Sequence, residues 1–279
     1  MSFENQIIDC ILQYNPDVEI IDNMVFMSSK NIMFHLMPVP FSGIEDLSPT
    51  FFQEQSLDYA SRGVQLVRLW EDVWRTKQDI VRSRIAMLSG SAVSIMARRT
   101  TAWRISRDVM FEFFATNHSH SFVDARYNYG LYNDEQQLLA AASFSSGRKV
   151  KRNGNTVHSF ELVRYANLLH HRVTGGLGKL IARFIKDVNP DDIMTYADLD
   201  WTTGKSYQTI DFVQTAITPP LKFWIHPREM IRYAAHRLPM KLTKEYRMQD
   251  KYADMNDFLK DKGYTRIYNA GNVKYLLNL

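Results

Sequence analysis

The most restrictive feature of the sequence is an ordered series of apolar runs and glycines between Phe160 and Val213. The apolar runs Phe160–Ala166 and Ile193–Ala197 both have the composition of a strand. Between them a cluster of glycines precedes apolar residues at helical spacing: Gly175, Gly176 and Gly178, then Leu177, Leu180, Ile181, Phe184 and Ile185. The order strand, glycine loop, helix, strand predicts backbone N–H groups at a helix N-terminus, which is a favourable place for an anion. The same glycines also suit a tight turn with close helix packing and no ligand.

Length and composition predict a globular protein of two domains. The chain has 279 residues, of which 45% are hydrophobic and 23% are charged. It contains no long apolar run that would span a membrane, and its N-terminus lacks the pattern of a secretory signal. The single cysteine, Cys10, excludes an internal disulfide and a cysteine-based metal cluster, so we expect a cytoplasmic protein. The net charge of +4 is compatible with nucleic-acid binding but does not require it.

Helical and strand-like segments alternate along the chain, which indicates an α/β (α+β) fold class. Ser89-Gly90-Ser91 is the best candidate for a domain boundary, because small and flexible residues separate two periodic segments there. The end of the chain, Tyr264–Leu277, predicts a hairpin around Asn269-Ala270-Gly271-Asn272.

Several phrases of the sequence resemble one protein family over nearly the whole chain. They include GVQLVRLWEDVWRTKQDIVRSRI (63–85), GLYNDE (130–135), FELVRYAN (160–167), GGLGKL (175–180), YADLDWTTG (196–204) and GYTRIYNAGNVKY (263–275). In order and spacing they resemble phage-type freestanding homing endonucleases. The resemblance implies a Vsr-like PD-(D/E)XK nuclease-fold domain at residues 1–90 and a GNAT-like acetyltransferase-fold domain at 91–225. Residues 226–279 would form a C-terminal helical and hairpin extension.

The nuclease positions implied by this resemblance are degenerate. Such a site needs acidic oxygens that bind Mg²⁺ at the ends of neighbouring strands. The matching positions hold other residues: Met24, His35, Met37 and Ser42. The nearest acids in the first strand are Glu19 and Asp22. We therefore expect a nuclease fold without nuclease chemistry, with Mg²⁺ as cofactor only if an active site exists elsewhere.

The acetyltransferase half retains part of a cofactor loop. Arg172 and Gly175 fit the Arg/Gln-x-x-Gly-x-Gly/Ala pattern, Gly176 lies beside them, and Gly178 stands one place late behind the bulky Leu177. Glu161 and Asp198 are candidates for a general base, and Tyr207 is a candidate for a general acid. Each of the three also suits a structural role. We expect neither acetyl-CoA nor another cofactor to be needed.

Basic and aromatic residues suggest a surface that binds nucleic acid or a partner protein. The candidates are Arg98, Arg99, Arg148, Lys149, Lys151, Arg152, Trp201, Arg228 and Arg232. The alternative is that these charges form ordinary solvated faces balanced by nearby acids.

The loss of several nuclease residues together favours a non-catalytic protein over an enzyme. We expect a phage-encoded adaptor that binds other proteins in the cytoplasm of an infected bacterium, for example cargo for import into a phage nucleus. The alternatives are a DNA-binding homing or nicking endonuclease and a GNAT-type acyltransferase.

Overall fold

The computed structural model describes residues 1–40, 43, 47–120, 122–152 and 154–279, so the predicted nuclease position Ser42 lies outside the described residues. The chain forms two compact units, each built from separate segments. Unit 1 comprises Met1–Gln78, Asp198–Thr203 and Ile217–Val273, and unit 2 comprises Asp79–Ala197, Gly204–Ala216 and Lys274–Leu279. The borders therefore differ from the expected divisions at residues 90 and 225.

The N-terminal part of unit 1 is a four-stranded sheet with helices. Its elements are α1 (Phe3–Tyr14), β1 (Glu19–Ile21), β2 (Met24–Met27), β3 (Ile32–Met37), α2 (Phe51–Ser61), β4 (Gln65–Trp70) and α3 (Glu71–Thr76). The strand order is β1-β2-β3-β4, in which only β3 and β4 are parallel. Glu19 and Asp22 were expected in one strand, but Glu19–Met27 is a tight hairpin of β1 and β2, and Asp22 turns the chain at a φ of 52°.

The C-terminal part of unit 1 is a small three-stranded sheet with two helices. Its elements are β14 (Lys222–Ile225), β15 (Arg232–Ala234), α8 (Met240–Arg247), α9 (Met255–Asp261) and β16 (Thr265–Tyr268). The strand order is β15-β14-β16, and both pairs are antiparallel. Trp224, Leu242 and Phe258 form its core. The segment Arg228–His236 has helical composition, but it forms a turn, the short strand β15, which pairs with β14, and the start of a 3-10 turn.

Unit 2 is built around a twisted sheet. Its helices are α4 (Gln78–Ser89), α5 (Arg107–Asn117), α6 (Gly176–Val188) and α7 (Lys205–Gln208). Its strands are β5 (Val93–Met96), β6 (Thr101–Arg104), β7 (Tyr127–Tyr132), β8 (Leu138–Phe144), β9 (Arg148–Arg152), β10 (Asn155–Asn167), β11 (His171–Thr174), β12 (Asp192–Asp198), β13 (Val213–Thr218) and β17 (Asn272–Asn278).

The eight-stranded sheet has the order β13-β17-β12-β10-β8-β7-β6, and β9 pairs with β10. Its two faces pack on different helices. Ala141 and Phe144 of β8 are three residues apart, so their side chains point to opposite faces of the sheet. On one face, Phe184 of α6 stacks on Phe144 of β8 with ring centroids 4.0 Å apart. On the other, Met110 and Phe114 of α5 pack against Ala141. The apolar stripe of α6 thus explains both its helical form and its position.

Strand β17 changes the interpretation of the C-terminal residues. It lies between β12 and β13 in the large sheet, and β16 pairs with β14. The expected hairpin at Tyr264–Leu277 is therefore wrong: its two strands belong to different sheets. Residues 226–279 are mostly an insertion between β13 and β17 rather than an extension. No helix in the described part of the chain is long and apolar enough to cross a membrane.

Candidate functional site

The glycine loop of unit 2 forms the N-terminus of α6. Gly175 caps the helix with a φ of 78°, a conformation that favours glycine, and its carbonyl accepts the first helical N–H from Lys179 at 3.1 Å. Gly176 allows a close approach, because a Cβ there would lie 3.0 Å from Val173 and 3.1 Å from Tyr165 Oη. The first turn of this 13-residue helix therefore has a defined geometry in which N–H groups lack intrahelical partners.

Basic residues from two places in the sequence meet at this helix end. β5 pairs in parallel with β11, and this pairing brings the turn Ala97–Arg99 beside the glycine loop. Lys179 Nζ donates to the carbonyl of Ala97 at 2.8 Å and to that of Thr100, which fixes the turn to α6. Arg98 and Arg99 in this turn, and Arg172 in β11, are exposed. The pairing of β5 with β11 thus brings Arg98 and Arg99, predicted to bind nucleic acid or a partner, near the loop of Arg172, predicted to bind a cofactor.

Two parallel strands separate beside this helix. β10 and β12 pair only from Ser159 opposite Asp192 to Glu161 opposite Met194. β10 then contains an irregularity between Leu162 and Arg164 in its pairing with β8, and the ladder to β12 does not continue. Just past this point, Thr195 Oγ1 donates to the Leu162 carbonyl at 3.0 Å.

Two half-buried phenols, those of Tyr207 and Tyr165, lie beside the separation. Tyr207, at the start of the segment after β12, makes a hydrogen bond with Thr195. Burial raises the pKa of Tyr207, although the Thr195 bond and the charge of Arg84 act in the opposite direction. Burial also raises the pKa of Tyr165, whose hydroxyl donates to Asn167 at 3.0 Å. Both phenols are therefore protonated at neutral pH, and Tyr207 can donate a proton.

The candidate bases have different surroundings. Burial raises the pKa of Glu161, and the nearby cations Arg164, Arg148 and Lys274 oppose that effect. A raised pKa brings a carboxylate closer to the range useful for a general base. Asp198 instead belongs to unit 1 and accepts the N–H of Asp200 at 3.0 Å, which is a turn-forming role.

A group of side chains near Glu161 was not predicted as a site. His118 has its pKa lowered to about 2 by burial and by the nearby His120, Arg164 and Arg84, so it is neutral. Arg84 Nη1 donates to Ser119 at 3.3 Å. These residues come from α4, β10 and the loop after α5, so no local spacing in the sequence connects them.

Several predicted binding residues have other partners. Arg232 makes a bidentate ion pair with Asp72, with both N–O distances 2.8 Å. Trp201 is only 7% exposed and is not available to stack on bases. Arg152 pairs with Asp192 at 2.5 Å. The expected surface role of Trp201 is corrected because the side chain is buried, and Arg232 is half-buried with its guanidinium engaged by Asp72. Arg148, Lys149, Lys151 and Arg228 are exposed.

The predicted nuclease positions form an apolar strand end. Met24 pairs with His35 across β2 and β3. Met37 is fully buried, and burial, aided by the charge of Arg68, lowers the pKa of His35 to about 4. Glu19 and Asp22 are exposed. Among the residues that the structure describes, no three His, Cys, Asp or Glu side chains are placed to bind a metal.

Comparisons with known proteins give weak structural likenesses. No protein-family model and no curated protein matches the chain. A spermidine/spermine N-acetyltransferase from Vibrio cholerae is 10% identical, with a TM-score of 0.36 over 65% of this chain and 94% of that one. The ribosomal-protein-S18-alanine N-acetyltransferase from Escherichia coli is 9% identical, with a TM-score of 0.36 over 64% and 93%. A Bacillus subtilis acetyltransferase in complex with CoA is 14% identical, with a TM-score of 0.36 over 65% and 98%. TM-scores this low do not by themselves establish a shared fold.

Proposed function

We propose that unit 2 is an acyltransferase of the GNAT type that binds an acyl-CoA. One observation carries the proposal: β10 and β12 separate beside the N-terminus of α6, and the half-buried Tyr207 is hydrogen-bonded to Thr195 at the separation. When bound, an acyl-CoA would supply an activated acyl group. It would require an anion site for its phosphates and a proton donor for its leaving thiolate.

The residues present fit these two requirements. N–H groups of the first turn of α6, together with Arg98, Arg99 and Arg172, would hold phosphates at the positive end of the helix dipole. Tyr207 Oη holds a proton at neutral pH, and Glu161 has a raised pKa suitable for accepting one. Leu177 leaves the phosphate approach intact, because it follows Gly176 within the helical turn and does not replace the capping glycine.

Calorimetry with acetyl-CoA tests the binding step. We expect binding with a Kd on the order of micromolar, weakened at least roughly tenfold by Arg172→Glu because the charge beside the phosphates is reversed. Arg228→Glu is the matched control, since it reverses an exposed arginine of unit 1 and should leave the affinity unchanged. The absence of heat at about millimolar acetyl-CoA would end the proposal.

A thiol-release assay with amine acceptors tests the chemical step. Tyr207→Phe should lower turnover by roughly a hundredfold and leave the acetyl-CoA affinity nearly unchanged, because only the proton donor is removed. If acetyl-CoA affinity falls as much as turnover, Tyr207 has a packing role between β10 and β12 and is not the proton donor.

A second candidate is protein recognition by unit 1. Its N-terminal part holds one helix, three strands, a helix, a strand and a helix, and Met24 and Met37 occupy the positions where the resemblance to nucleases implies acidic and polar groups. Plasmid cleavage with Mg²⁺ or Mn²⁺ that is abolished by Asp22→Ala or Glu19→Ala would refute a non-catalytic role. A salt-sensitive gel shift without cleavage would instead support retained DNA binding.

A further inference from the structure

A cavity of about 420 Å³ lies in the C-terminal part of unit 1. Tyr233 from β15, Leu242 from α8 and Tyr264 before β16 contribute to its walls, with His226 at the end of β14. Tyr264 and Leu242 are mostly buried, and the His226 ring meets the Tyr264 ring edge-on at 5.2 Å. The volume falls within the range of small-molecule and side-chain sites.

Some polar groups of the cavity already have partners. Lys262 Nζ donates to Glu245 Oε1 at 2.5 Å, so these two charges compensate each other. His226 Nδ1 accepts the backbone N–H groups of Arg228 and Glu229, at 3.3 and 3.1 Å. The neutral imidazole therefore carries its proton on Nε2. Lys241, another charged residue of the cavity wall, is exposed at the rim.

Other polar groups are available to a ligand. In the described part of the chain, the hydroxyls of Tyr233 and Tyr264 and the carboxylate of Glu229 have no hydrogen-bond partner. Burial, followed by the neighbouring Tyr233, Glu229 and Glu245, raises the pKa of Tyr264, which is consistent with negative potential inside the cavity. The cavity thus combines two tyrosine side chains with the carboxylate of Glu229, which acts on Tyr264, while Lys241 adds one exposed positive charge to the same wall.

We propose that this cavity binds an aliphatic ammonium group, in particular the lysine side chain of another protein. The methylene stem would lie against Leu242 and the tyrosine rings, and the ammonium would meet Glu229 and the phenol oxygens. Aromatic faces attract cations, and a lysine side chain buries its stem while its charge stays at a polar group.

Ligand-observed NMR and calorimetry with small probes test the site. Nα-acetyl-lysine amide should bind at least roughly tenfold more tightly than the neutral Nα-acetyl-norleucine amide, because only the first has a charge to place against Glu229. n-Butylamine separates the two sources of the ammonium: equal binding indicates a free amine, and tighter binding of the lysine probe indicates a protein side chain.

Matched variants locate the binding. Glu229→Gln should reduce lysine-probe affinity by roughly tenfold, and Asp250→Asn should not change it. Glu229 and Asp250 are both exposed acids of unit 1, so both variants should fold. Shifts of the His226 and Tyr264 side-chain resonances on titration would confirm the location. Equal affinity for the norleucine probe, or no binding at about 20 mM lysine probe, would overturn the proposal whatever acyl-CoA does in unit 2.

Discussion

The ion pair between Asp72 and Arg232 should be among the strongest single contributions to the stability of unit 1. The two side chains are 2% and 19% exposed, and both N–O distances are 2.8 Å. The guanidinium also lies 5.4 Å from the ring centroids of Trp70 and Phe223. Asp72→Ala would leave this buried cation without its bidentate partner, which costs about 3–5 kcal/mol in unfolding free energy. We expect a loss of about 3 kcal/mol, at the lower end of this range, because the carboxylate of Asp200 still attracts Arg232 after the substitution.

Urea unfolding followed by tryptophan fluorescence measures this loss. Four of the five tryptophans, at positions 70, 74, 201 and 224, belong to unit 1, so the signal reports mainly on that unit. The control is Asp58→Ala, which removes the partner of Arg62 from a pair whose side chains are 61% and 58% exposed. Exposed pairs contribute about 0–1 kcal/mol. If the losses of unfolding free energy in Asp72→Ala and Asp58→Ala differ by less than about 1 kcal/mol, the pair of Asp72 and Arg232 is not a major contribution to stability.

Three further perturbations give distinct outcomes. Gly176→Ala should lower the unfolding free energy by about 1–3 kcal/mol through contact with Val173 and Tyr165. Gly178→Ala, whose Cβ would lie 3.5 Å from Ile210, should not lower it, and thermal unfolding compares the two. Burial and the neighbouring Asp198 raise the pKa of Asp200 to about 6, so its contribution to stability should be lost as pH rises from about 4 to about 6. Asp200→Asn should remove that part of the pH dependence in urea titrations, and an unchanged slope would contradict it. Deletion of residues 272–279 should abolish cooperative unfolding of unit 2, because it removes β17; a fragment with an intact transition in circular dichroism would show that the strand is dispensable.

Local periodicity was enough to predict the central α/β segment. The run Phe160–Ala166, the glycine loop, the amphipathic helix and the run Ile193–Ala197 correspond to β10, α6 and β12. Each of these signals is carried by neighbouring residues, so it can be recognised without knowing the rest of the fold. The glycine cap at the N-terminus of α6 follows from the same local pattern, whereas anion binding there stays a prediction.

Long-range pairing could not be predicted in this way. Asp72 and Arg232 are 160 positions apart, and in the sequence each has the character of an exposed charge. Only the folded structure shows that the two side chains pair with each other away from water. The group of His118, Arg84 and Arg164 is equally dispersed. Strand β17 was assigned to a hairpin because Asn269–Asn272 has turn composition, but a turn signal does not specify which strands pair across it.

The position of β17 has a consequence for synthesis of the protein. The strand is made after every other strand of the large sheet, yet it lies between β12 and β13, which leave the ribosome more than fifty residues earlier. Until β17 emerges, both neighbours have unpaired edges, and such edges tend to pair with other chains. The large sheet can therefore close only once β17 has been made, and in the nascent chain these two strands are the part most dependent on chaperones.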